Sequence, residues 1–276
     1  MKTNELQKLV DNYISTIDYN LNNIEDAINA DEADINNLLP RYKEILTTTS
    51  SNVSERWLKR EKYLRTEFVL SVLSDKYPKQ RLTLSLAIDA MINILDDFYD
   101  EDLPKKQKQV FLIELLRTSS LAYSRMPNTD FVKELGIYLD KLITLAIAED
   151  YFLNLIKKTN NLEKVVKYSK TLLLNRAMDI DYFAQIGLSS IEDSTMPFRI
   201  FRALNILKKD ILDIERDLEA GQETVVTNIC GRDFEKKKYF NKLSSDILSE
   251  SKVENIELKK MIENEIVEIE KLASQL

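Results

Sequence analysis

This 276-residue chain has no histidine, one cysteine, four glycines and five prolines. Without imidazole and with a single thiol, a zinc site built from nitrogen and sulfur is nearly excluded. The lone Cys230 rules out an internal disulfide and is compatible with a reducing compartment. So little glycine and proline leaves few places to divide the chain, and a single domain over residues 1–276 is the expectation. No apolar run reaches the length of about 18 residues that a transmembrane helix needs, and no signal peptide is read at the start. A cytoplasmic protein is therefore expected. The net charge is −7 with no long basic tract, which argues against nucleic acid as a partner.

What the chain does have is apolar residues at helical spacing. Hydrophobic residues make up 44% and charged residues 31%, and the two classes alternate with the period of a helix. Leu6, Leu9, Val10, Ile14, Ile17, Leu21, Ile24 and Ile28 form one stripe. A second helix is expected over 31–46, kinked or divided at Pro40. The serines of 50–54 can cap a third, which runs to about Ser74. It carries Arg56, Lys59, Arg60, Lys62 and Arg65, either a solvated face or a patch that meets phosphate. Pro78 marks a break before an apolar ramp over 82–95, and Pro104 ends that helix. Further helices are expected over 110–124, 131–158, 162–186, 198–219, 233–249 and 252–273, with a linker at 187–197 and Gly221 as a C-terminal stop. No segment alternates with period two. The fold expected is all-α, a single-domain bundle of about ten helices around a central apolar cavity.

The ramp ends in Asp96, Asp97, Phe98, Tyr99, Asp100 and Glu101. On a helix Asp96 and Asp100 stand one turn apart, with Asp97 about a quarter turn round. Like charges so placed repel, and an oxygen-preferring cation such as Mg²⁺ would relieve them. A solvated helix end is the bland alternative. A second acidic run, Asp210, Asp213 and Asp217 at spacings of three and four, puts three carboxylates on one helical face more than a hundred residues later. Two such runs bordering apolar sequence suit a cavity whose ligand is anionic at one end and hydrocarbon at the other, as an isoprenyl diphosphate is. Metal ions and nearby Lys or Arg would neutralise the departing diphosphate, so that an allylic carbon–oxygen bond ionises without a side-chain nucleophile.

The residues Asp-Asp-Phe-Tyr-Asp at 96–100 resemble the first aspartate-rich motif of class I isoprenoid synthases. Lys-Lys-Asp-Ile-Leu-Asp-Ile-Glu-Arg-Asp at 208–217 is similar to the second such motif of trans-isoprenyl diphosphate synthases. Lys170-Thr171, 40 residues before Asp210, resembles the Lys-Thr pair that the family places between the motifs. The resemblance covers 96–221 and implies a prenyltransferase with three Mg²⁺ ions. Asp96, Asp97 and Asp100 would hold two of them, while Asp210 and Asp213, with Asp217 on the same face, would hold or order the third. Lys170 would grip the allylic diphosphate, with Thr171 beside it. Lys105 and Lys106 stand where the family has two arginines, keeping the charge but losing the bidentate fork. Homodimers are usual in the family, so a homodimer is implied; pairing with an active synthase in a hetero-oligomer is the alternative.

Departures cluster on the side that would hold isopentenyl diphosphate. The family's Gly-Gly-Lys turn is missing, Asn205-Ile206 replaces Phe-Gln, and Gly221-Gln222 replaces Gly-Lys. Lys209 replaces the first aspartate of the second motif, so a tethered ammonium either stands in for the third ion or extends to solvent. A terpene cyclase acting on the same substrate class is the runner-up: Arg176 with Asp179 resembles the cyclases' diphosphate-sensing arginine and its linker, or else forms an ordinary i,i+3 surface pair. A non-catalytic subunit or lipid-diphosphate binder is a third reading. Ile88, Met91 and Ile92 stand where the family floors its hydrocarbon pocket. None is aromatic, which implies a substrate of about 15 carbons or longer.

Overall fold

The computed structural model describes residues 64–100, 112, 115, 116, 119, 122–127, 129–188, 194–232 and 235–276. Among them there is no strand, and the fold is all-α. The helices expected over 5–30 and 31–46, and the basic face at 56–62, lie outside the described residues, as do Lys105 and Lys106. The chain divides into two compact units, one of Met1–Val132 with Ile186–Ser189, the other of Lys133–Gln185 with Ser190–Leu276.

The first unit is built on α1 (Leu64–Leu73) and α2 (Leu82–Asp100). Between them Ser74 adopts φ 46°, a left-handed conformation that ends α1. Short 3₁₀ turns follow at Ser74–Lys76 and Lys79–Arg81, one on either side of Pro78. Proline has no amide hydrogen and restricts the residue before it, which accounts for the extended Tyr77 at this break. Residues 84–91 of α2 are buried on every side. A helix surrounded in this way lies in a core, and each of its fully buried Leu or Ile side chains contributes about 1.5–3 kcal/mol. Two polar residues, Ser85 and Asp89, share that burial. Residues 112, 115, 116, 119 and 122–124 are helical as expected.

The helices α3 (Thr129–Lys158), α4 (Leu162–Arg176) and α5 (Asp181–Gly187) come next. In place of one helix over 162–186, a 3₁₀ turn at Ala177–Ile180 separates α4 from α5. The helices that follow are α6 (Met196–Leu212), α7 (Ile214–Glu219), α8 (Val225–Cys230), α9 (Lys236–Leu248) and α10 (Ile256–Ala273). Pro197 opens α6, where a missing N–H is tolerated. Nine residues of α6 are buried, among them Phe198, Leu204 and Leu207. This helix is the spine of the second unit, packing chiefly on α10 and also on α4, α8, α9 and the Ala177–Ile180 turn. Asn161 and Asn255 cap α4 and α10 through their side chains, as helix starts favour. Gly221, at φ 65°, ends α7: its N–H reaches Leu218 O and that of Gln222 reaches Asp217 O, the paired closure that left-handed glycine permits.

Candidate functional site

The first acidic run occupies the last turn of α2, as the sequence predicts. That turn contains no basic residue. The negative end of a helix is a poor place for three carboxylates, since the backbone dipole already favours a cation there. The side chains of Asp96, Asp97 and Asp100 lie outside the described residues. Seven and eleven residues ahead of Asp96 and Asp100, in the same helical register, stands Asp89, which is wholly buried. Its Oδ1 accepts from Arg65 Nη1 at 3.1 Å and its Oδ2 from the Thr66 amide at 2.9 Å. Arg65 Nη1 also reaches Asn93 Oδ1 at 3.4 Å, and the Thr66 and Ser85 hydroxyls meet at 3.0 Å. A polar seam thus ties α1 to the interior of α2 one to two turns before the acidic end. Burial pushes the Asp89 carboxyl above its ordinary value, against the opposing pull of Arg65 and the Thr66 amide.

In the second unit the aspartates of 208–217 share one side, but the helix does not run through them. Asp213, at φ −91° and ψ 4°, separates α6 from α7, while the amides of Asp213 and Asp217 still bond four residues back at 2.9 Å. Asp210 and Asp217 are buried, and Asp213 is half-buried. Each carboxylate has a guanidinium. Arg176 Nη1 donates to Asp210 Oδ2 at 2.9 Å, and its Nε lies 3.5 Å from Glu149 of α3. Arg216 Nη2 bridges Asp213 at 2.8 Å and Asp217 at 3.2 Å. Desolvation raises the Asp210 carboxyl above its ordinary value, while Arg176 pulls it down and Asp217 pushes it further up.

The remaining expected residues are distributed as follows. Lys170 is half-buried and pairs with Glu250, and the Thr171 hydroxyl donates to Lys167 O at 2.9 Å within its own helix. Lys209 is exposed beside Asp210, whose ionised form it favours. Asp179 is not a surface residue. It is buried, and Arg202 of α6 grips both its oxygens at 2.9–3.2 Å. Arg199 takes Asp181 in the same manner, with Nε at 3.0 Å from Oδ1. Tyr138 completes the clamp, donating to Asp179 O at 2.9 Å and stacking on Tyr182 at 5.6 Å. Two arginines three residues apart on α6 therefore anchor the break between α4 and α5, and Arg176 at the end of α4 bonds Asp210. Glu149, Arg202, Arg199 and Asp89 are not legible as site residues in the sequence, because their partners are 18 to 27 residues away, and Asp89 is also hidden in an apolar ramp.

Among the described residues no group of three or more His, Cys, Asp or Glu is gathered to hold a metal ion. The second run does not fit a divalent cation as it stands, because its carboxylates are committed to guanidinium groups. The first run offers, by sequence, the carboxylate oxygens that Mg²⁺ takes, in a helix turn with no basic residue. An open cleft of about 300 Å³ lies within the second unit, lined by Ile137, Leu145, Ala148 and Met178 together with Asp140 and Lys141. No described helix is long and apolar enough to cross a membrane. No family model, no curated protein and no solved structure matches this chain.

Proposed function

We propose that this chain is a Mg²⁺-dependent enzyme of the isoprenoid synthase type, which ionises an allylic prenyl diphosphate and transfers the prenyl group. The observation that carries the reading is the last turn of α2, where an apolar, buried helix ends in Asp96, Asp97 and Asp100 without a basic residue among them. When bound there, the divalent ion supplies charge neutralisation for a departing diphosphate. The chain's part is to hold the acidic end still. Buried packing of 84–91 and the Arg65–Asp89–Thr66 seam fix the middle of α2, the helix whose last turn carries the acidic run. Lys170, with Thr171, and the pair Lys105 and Lys106 are the diphosphate contacts the resemblance implies.

A cyclase is the second reading, and one observation favours it. The helix that carries Arg176 stops at that residue, and a 3₁₀ turn begins at Ala177. A short 3₁₀ stretch inside a helical run often marks a functional hinge. This one directly follows Arg176 and contains Asp179, the two residues of the cyclase resemblance.

Product analysis separates the two. The chain is incubated with Mg²⁺ and allylic diphosphates of about 10, 15 and 20 carbons, sizes a cavity of this kind admits, with and without isopentenyl diphosphate. Elongated diphosphate only in the presence of the second substrate supports transfer; a cyclised hydrocarbon or alcohol without it supports the cyclase. No consumption of any allylic diphosphate contradicts both.

A further inference from the structure

The geometry points to a second acidic run that carries its own cations and holds no divalent ion: Arg216 stands between Asp213 and Asp217, and Arg176 on Asp210. In the arrangement that the resemblance implies, these aspartates would be metal ligands. Here Arg216 Nη2 bonds Asp213 at 2.8 Å and Asp217 at 3.2 Å, so one guanidinium occupies the position from which a cation would bridge the two. Asp210, almost fully buried, has Arg176 at 2.9 Å as its partner. Breaking a buried pair of this kind leaves an uncompensated charge.

Charge balance leads to the same place. Four carboxylates, Glu149, Asp210, Asp213 and Asp217, are gathered with three cations, Arg176, Lys209 and Arg216. The cluster is left with a single net negative charge, a weak attraction for a dication that must shed water to enter. Lys209, standing where the resembling motif has an aspartate, removes one ligand and adds one cation. The inference concerns the second run only and is independent of whether the first run binds an ion.

The test is a Mn²⁺ titration of the full chain, read by electron paramagnetic resonance without any substrate, with circular dichroism to verify folding. Asp213→Asn, at a half-buried position, is expected to bind as many Mn²⁺ ions as the unaltered chain with affinity unchanged. Arg216→Gln, which removes the internal cation from an exposed position, is expected to gain a Mn²⁺ site that the added Asp213→Asn change abolishes. Loss of an ion, or weakening of about tenfold or more, in Asp213→Asn would overturn the inference. So would an Arg216→Gln chain that gains no site. If the unaltered chain binds no Mn²⁺ while Arg216→Gln does, the inference stands and the proposed role of the first run fails.

Discussion

Arg176 Nη1 lies 2.9 Å from Asp210 Oδ2 and joins the end of α4 to the last turns of α6. The carboxylate is nearly buried, whereas about a quarter of the arginine side chain is exposed, at 26%. Replacing Arg176 with Met leaves a buried charge without its partner. The expected loss of stability is about 2–3 kcal/mol, below the range for fully buried pairs because one partner is partly solvated. Urea denaturation checks it, and Arg176→Met combined with Asp210→Asn should recover part of the loss.

Gly187, the last residue of α5, belongs to the first unit. A Cβ there would meet Leu73 Cδ1 at 2.7 Å, Val69 Cγ1 at 2.9 Å and Tyr77 Cε2 at 3.0 Å. All three neighbours are buried and none is the free tip of a surface side chain. Gly187→Ala should therefore cost about 1–3 kcal/mol through overpacking. Gly136, in the middle of α3 with nothing within 4 Å of an added Cβ, supplies the control. Gly136→Ala should stabilise by about 0.5–1 kcal/mol, the helix propensity difference. Thermal melts of the two variants should move in opposite directions.

Asp89 gives a pH signature. Its folded-state value is raised above the ordinary carboxylate value, with burial as the largest cause. The folded chain consequently takes up this proton more readily than the unfolded chain. The contribution of Asp89 to stability is greatest below the ordinary carboxylate value and is lost as pH rises through the raised one. Relative to Asp89→Asn, the unaltered chain should gain stability as pH falls across that interval. The difference between the two denaturation midpoints, plotted against pH, checks the sign.

Much of the helical layout is legible in the sequence for a physical reason. The ramp of α2, the stripes of α6 and α10, the break at Pro78 and the stop at Gly221 are local patterns, set by residues within a turn or two. The break at Ala177–Ile180 has no such signal, since Arg176-Ala-Met-Asp-Ile-Asp contains neither proline nor glycine. Its anchors lie on α6, where Arg202 and Arg199 bond Asp179 and Asp181. The same holds at the second acidic run. Spacing predicts that its aspartates share a face; it does not reveal that Arg176 and Arg216 are already bonded to them. Asp89 is hidden differently, as one carboxylate in an apolar ramp, and only the Arg65 and Thr66 contacts explain its burial.

The most direct test of the account is release of inorganic diphosphate from an allylic diphosphate of about 15 carbons, the chain length the proposed pocket admits. It is measured with Mg²⁺ and with a chelator, for the unaltered chain and for Asp96→Asn with Asp97→Asn. The account predicts release that requires Mg²⁺ and falls on the order of a hundredfold in the variant, with the helical signal unchanged. Release that persists in the chelator or in the variant, or no release under any substrate pairing, would contradict it.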